Sequence, residues 1–184
     1  TTNANGFATT SKIPIGEYTL KEIATDDMHI LNEEVIKVIV TTNETSKITI
    51  TNERIKGQIK VLKVSGEDSP ITGDKSETPI PDVEFEVYNA NKELVDTIIT
   101  DNDGTAITKK LDKGIYTVKE TKSGKWYLLN ENEFTAEIKE HNEIVELNIT
   151  NEPEKPSDDI EKTGLIQTTA NEEIRYDFHS KNTG

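Results

Sequence analysis

The stretch "GIYTVKE", residues 114–120, decides how this chain is read. Side chains alternate along a strand, so Tyr116, Val118 and Glu120 share one face while Ile115, Thr117 and Lys119 share the other. Tyr116 and Val118 read as core, and their face carries the carboxylate of Glu120 inward with them. The same arrangement stands 98 residues earlier in "GEYTLKE", residues 16–22, where Tyr18, Leu20 and Glu22 line up identically. An acid pointed inward twice, at the same place, needs a reason.

The two stretches belong to a long internal repeat. "TTNANGFATTSKIPIGEYTLKE" (1–22) aligns without gaps on "ITDNDGTAITKKLDKGIYTVKE" (99–120), with 10 of 22 positions identical. The match continues through "LNE" at 31–33 and 129–131, and after one inserted residue through "ITITNE" (48–53) and "LNITNE" (147–152). A period of this length is a whole small domain, not a solenoid unit. Because residue 1 aligns with residue 99, residues 1–53 are expected to be the C-terminal part of a first domain whose opening strands lie upstream. Residues 57–153 read as a complete second domain, 154–159 as a Pro-rich acidic linker, and 160–184 as the start of a third β-rich domain. In the last segment "EEIRYDFHS" (172–180) is a strand candidate and Lys162 a candidate site lysine. The chain thus reads as a window onto a larger multidomain protein.

Composition narrows the function. The 184 residues carry a formal net charge of -14, which disfavours nucleic acid and anionic membranes as partners. With no cysteine, disulfides and thiolate metal sites are excluded. His29, His141 and His179 are scattered, and the first two lie in polar stretches that read as solvated. "TDNDG" (100–104) lacks the spacing and terminal Glu of a calcium loop and reads as a turn closed by Gly104. No apolar run approaches the roughly 18 residues of a membrane span, and no cofactor is expected.

In the second copy, "GQIKVLKV" (57–64), "DVEFEVYNA" (82–90), "LVDTIIT" (94–100), "TAITKKL" (105–111), "GIYTVKET" (114–121), "KWYLLN" (125–130), "EFTAEIKE" (133–140) and "EIVELNITN" (143–151) read as strands. "NANKE" reads as a hairpin turn, and residues 65–81 as a long polar loop expected to be mobile. Seven to nine short strands without a helical period predict an all-β sandwich, prealbumin-like or Ig-like. In the first strand Ile59, Val61 and Lys63 share a face, with Lys60 on the other; in the last, Val145, Leu147, Ile149 and Asn151 share one. Each inward polar residue also reads, taken singly, as a strand-end residue whose face is already wet. Together, a lysine, a glutamate and an asparagine inside one sandwich call for mutual compensation, since an unpaired buried charge costs several kcal/mol.

The motifs "IKVLKVS", "PIPDVEFEVYNANKELV", "TDNDGTA", "GIYTVKET" and "LNITNEP" resemble, in that order, the B-type repeats of the Gram-positive collagen adhesin, the Cna-B or SpaA-like domains of surface adhesins and pilins. The resemblance covers residues 57–153 in full and 1–53 as a C-terminal half. It implies an intramolecular isopeptide bond, in which a first-strand Lys attacks a last-strand Asn with the help of a buried acid. Carried onto this sequence, it makes Lys63 the nucleophile, Asn151 the electrophile and Glu120 the proton shuttle that also hydrogen-bonds the carboxamide oxygen. Glu22 and Asn52 are the equivalent partial site of the first copy. Lys60 competes with Lys63 by proximity but not by parity.

The resemblance further implies a stalk module of an extracellular, cell-wall-anchored Gram-positive surface protein, with neighbouring domains of the same chain as partners. Self-crosslinking happens once, so no enzyme turnover is expected. Two other classes fit a β-sandwich. One is an adhesin module that binds collagen or another extracellular matrix polymer. The other is a carbohydrate-binding sandwich of a secreted enzyme, disfavoured because no aromatic platform is evident; Trp126 and Tyr127 read as packing residues.

Overall fold

Short alternating runs punctuated by Asn, Asp and Gly can bury their apolar faces only by pairing into sheets and stacking those sheets. The structure, a computed structural model, describes residues 1–42, 44–156, 158–160 and 180–182, and its regular elements are all strands. The first copy contributes β1 (Gly16–Lys21) and β2 (Val35–Val40). The second contributes β3 (Lys56–Ser65), β4 (Glu84–Asn89), β5 (Leu94–Ile99), β6 (Thr105–Ile107), β7 (Leu111–Asp112), β8 (Gly114–Lys122), β9 (Glu133–Ile138) and β10 (Ile144–Asn151). A short antiparallel pair, β11 (Asp158–Ile160) and β12 (Ser180–Asn182), follows. The fold is all-β, as the sequence predicts.

Two four-stranded sheets make the sandwich of the second copy. One runs β10-β3-β6, with β7 pairing the start of β3, and the other runs β5-β4-β8-β9. β10 lies parallel to β3, so the first and last strands of the sandwich are neighbours, with Ile149 opposite Lys63 and Asn151 opposite Ser65. In the facing sheet β8 pairs antiparallel with β4 and sets Glu120 opposite Phe85. Between the sheets lie Ile59, Val61, Phe85, Val87, Tyr116, Val118, Ile138 and Ile149, all buried. Each such side chain contributes roughly 1.5–3 kcal/mol by leaving water. The outward residues alternate as expected, and Lys60 pairs on the outer face with Glu146 at 3.0 Å.

The repeat is visible in matching contacts. β1 and β2 pair antiparallel as β8 and β9 do. The Tyr18 hydroxyl donates to the Pro14 carbonyl at 2.8 Å, and the Tyr116 hydroxyl to the Asp112 carbonyl at 2.6 Å. Residues 48–53 differ from their counterpart β10: no strand pairs with them among the described residues, whereas β3 holds β10 in its ladder. The copies meet through a backbone bond from Lys113 N to the Ile55 carbonyl and through an Arg54–Asp112 ion pair at 2.7 Å. His29 and His141 flank this junction and are half-buried instead of solvated, His29 bridging to Arg54 and His141 accepting from Lys56 N.

Three other readings change. "KWYLLN" is a turn and loop, touching a strand-like partner only where Tyr127 bridges Pro153, because Trp126 adopts a left-handed backbone (φ 69) that breaks a ladder. Tyr127 nonetheless packs in the core, and Trp126 is half-buried. The polar loop 65–81 is tied down by its own hydrogen bonds, among them Ser76 N and the Lys75 ammonium on Asp68 and Glu77 N on the Ser65 carbonyl. β11 begins inside the expected linker 154–159, while Lys162, His179 and all of "EEIRYDFHS" before Ser180 lie outside the described residues.

The "TDNDG" turn bears directly on Lys63. Asp101 Oδ1 accepts from the backbone of Asp103 and Thr105, and Gly104 closes the turn with φ 68. The Gly104 carbonyl accepts from Lys63 N at 2.7 Å, and a Cβ on Gly104 would stand 2.3 Å from the Lys63 carbonyl oxygen. Gly104→Ala should therefore destabilise the fold by about 1–3 kcal/mol, through left-handed strain and displacement of β3. Thermal unfolding followed by circular dichroism checks this, and an unchanged midpoint would contradict it.

Candidate functional site

Lys63 projects from β3 and Asn151 from β10, neighbours in one sheet, while Glu120 projects from β8 in the other. The alternation that sends Ile59 and Val61 inward sends Lys63 with them, and it is fully buried. Glu120 is 1% exposed and Asn151 3%. The three side chains that the sequence turns inward meet between the sheets.

The Lys63 ammonium donates to Asn151 Oδ1 in a short contact and stands 3.0 Å from Glu120 Oε2. Glu120 Oε1 accepts from Asn151 Nδ2 at 2.7 Å. Oε2 stands beside the Lys63 amine and meets no other polar partner. The Phe85 ring, 5.8 Å from Nζ at its centroid, walls the site and excludes water. Burial acts most strongly on Lys63 and holds its pKa below the ordinary 10.5; the hydrogen bond and charge of Glu120 push the other way without cancelling it. A depressed lysine pKa raises the fraction present as the neutral, nucleophilic amine.

The carboxyl of Glu120 has a defined place relative to the amide. It faces the carboxamide nitrogen of Asn151, while the carboxamide oxygen faces Lys63. The carboxyl therefore spans the amine and the amide nitrogen, one oxygen near each. That geometry suits carrying a proton from Nζ to Nδ2 better than polarising the carbonyl.

A fourth group went unread in the sequence. Asn151 Nδ2 also donates to the Ser123 hydroxyl at 3.1 Å. In the first copy Asn52 Nδ2 donates to both oxygens of Glu22, at 2.9 and 2.8 Å, and to Thr25 Oγ1 at 2.9 Å. Thr25 follows Glu22 by three residues, as Ser123 follows Glu120, so the partial site repeats its contacts with a hydroxyl in the same place. A hydroxyl at both positions of the repeat was the available signal. Alternation hid it, since Ser123 has the opposite parity to Glu120; β8 ends at Lys122, and beyond it the parity rule no longer applies.

A two-sheet prealbumin-like sandwich with first and last strands paired over a buried Lys–Glu–Asn cluster defines the class of protein. The SpaA model, described as a prealbumin-like fold domain, matches residues 1–54 and again 57–153, and the chain belongs to that family. Over 152 residues the chain is 29% identical to the trypsin-resistant surface T6 protein of Streptococcus pyogenes serotype M6, covering 79% of this chain and 25% of that protein. A solved structure of the Bacillus anthracis TIE protein is 34% identical, with a TM-score of 0.72 over 83% of this chain and 28% of that one. The T6 backbone pilin of serotype M6 Streptococcus pyogenes is 26% identical with a TM-score of 0.38, over 51% of this chain and 19% of that one. The chain thus spans about a quarter of the length of these relatives.

The lysine's depressed pKa gives a signed expectation. An Asn151→Ala chain keeps a free, buried Lys63. Between its lowered folded pKa and the unfolded 10.5, the unfolded state binds the extra proton, so the Lys63 contribution to stability grows as pH rises through that window and is lost as pH falls through the folded pKa. Denaturant unfolding against pH, compared with the Lys63→Met, Asn151→Ala double variant, isolates it; equal pH slopes would contradict it.

Proposed function

We propose that the second copy crosslinks itself through Lys63 and Asn151 and serves as a structural module of a pilin-like, Gram-positive cell-surface protein. The observation that carries this reading is the contact of a fully buried amine with a carboxamide and a carboxyl that reaches both ends of the transfer. As the Lys63 Nζ–Asn151 Cγ bond forms, Nζ gives up a proton to Glu120. Glu120 passes a proton to Nδ2, the Cγ–Nδ2 bond breaks, and ammonia leaves. Glu120 ends as it began. Holding the partners in place can be worth roughly 7–11 kcal/mol of barrier.

The bond would tie residues 88 apart in sequence. By the chain-entropy account of cross-links, a loop of that size removes about 4–5 kcal/mol of unfolded-state entropy. Because β3 and β10 are the first and last strands, tension applied at the ends of the copy would load the bond instead of peeling strands apart. Membership of the SpaA family and the likeness to a surface protein of Streptococcus pyogenes support an extracellular place and neighbouring domains as partners. That relative is called trypsin-resistant. A tied sandwich offers the same property here, since trypsin needs a locally opened chain.

The intact mass of the folded 184-residue chain tests the reading. Loss of one ammonia, about 17 Da, is expected from attack of an amine on a carboxamide. Glu120→Ala should restore the full mass, lower the unfolding midpoint and admit trypsin to the second copy. An unshifted wild-type mass would overturn the proposal.

A further inference from the structure

Ser123 is the fourth polar group at the cluster, and the self-crosslinking reading, on which this inference rests, gives it no role. We propose that Ser123 is a positioning residue that fixes which end of the Asn151 carboxamide faces Glu120. Its hydroxyl donates to the Leu128 carbonyl at 3.2 Å and accepts from Asn151 Nδ2 at 3.1 Å. A hydroxyl has one proton. With that proton committed to Leu128, Ser123 offers Asn151 only lone pairs, and only the NH2 end of the carboxamide can use them.

Lys63 does not impose this choice in the reactive form, because a neutral amine has a lone pair as well as hydrogens and can meet either end of the amide. Ser123 adds a second acceptor to Glu120 Oε1, so the nitrogen end is held on their side. With Ser123 and Glu120 Oε1 taking the two Nδ2 hydrogens, Oδ1 is left to Lys63. The proton released by Nζ then reaches the leaving nitrogen through a single carboxyl group. With the amide turned over, Nδ2 would lose both of its acceptors and the carboxyl of Glu120 would face the oxygen.

The first copy places a hydroxyl at the corresponding point. Thr25 Oγ1 accepts from Asn52 Nδ2 at 2.9 Å, three residues after Glu22. Serine and threonine differ in bulk and surroundings; the hydroxyl is what they share.

The test follows ammonia loss over time in the full chain, made by cell-free synthesis, quenched in acid at intervals and weighed intact. Ser123→Thr should crosslink near the wild-type rate. Ser123→Val, of the same shape without the hydroxyl, and Ser123→Ala should be slower by about tenfold, the scale of one hydrogen bond lost from the reacting geometry. All three should keep the wild-type far-UV spectrum. If Ser123→Val matches Ser123→Thr while the wild type crosslinks, the positioning role falls and the crosslink stands. If the wild type never loses ammonia, both fall together. If Ser123→Val and Ser123→Ala lose the folded spectrum while Ser123→Thr keeps it, the hydroxyl serves folding and the positioning role is overturned.

Discussion

A lysine amine taken wholly out of water must be met by other polar groups, and in this chain those groups come from strands far apart in sequence. Lys63 on β3 is satisfied by Asn151 on β10 and by Glu120 on β8. The parallel pairing of β3 with β10 supplies the first contact, and the stacking of the two sheets supplies the second. The cost of desolvating a charge is large enough that removing any one partner leaves an uncompensated group in the core. The sandwich is therefore built around a polar cluster that its own apolar core encloses.

That enclosure gives the cluster its chemistry. Burial favours the uncharged amine, the Phe85 ring keeps water away, and strand registry holds nucleophile, carboxyl and amide in contact. The backbone enters as well, since the Gly104 carbonyl fixes Lys63 N from a turn that admits no side chain at that point. The contacts of Glu22, Asn52 and Thr25 in the first copy repeat those of Glu120, Asn151 and Ser123. The arrangement belongs to the repeat unit and not to one accident of packing.

Much of this was legible because a strand has a period of two. With "GIYTVKE" a strand, Tyr116 and Val118 place Glu120 inside, and the same rule places Lys63 beside Ile59 and Val61 and separates it from Lys60. The rule failed where strands end. "KWYLLN" looked like a strand from composition, but the left-handed backbone at Trp126 makes it a loop. Ser123 escaped notice for the same reason, lying just past the end of β8 where parity carries no information. His29 and His141 looked solvated because a junction between two copies leaves no periodic trace in either.

The sequence by itself determined the all-β architecture, the repeat and the inward faces of Lys63, Glu120 and Asn151, because these follow from local alternation and from self-similarity. Tertiary structure alone decided that the three faces meet at one point and that the nitrogen of Asn151 donates to the carboxyl of Glu120. It also decided that a serine joins them from just past the end of β8. The physical reason is that side-chain parity is a property of one strand, whereas registry between strands, sheet stacking and the polarity of a single carboxamide depend on atoms brought together from distant parts of the chain.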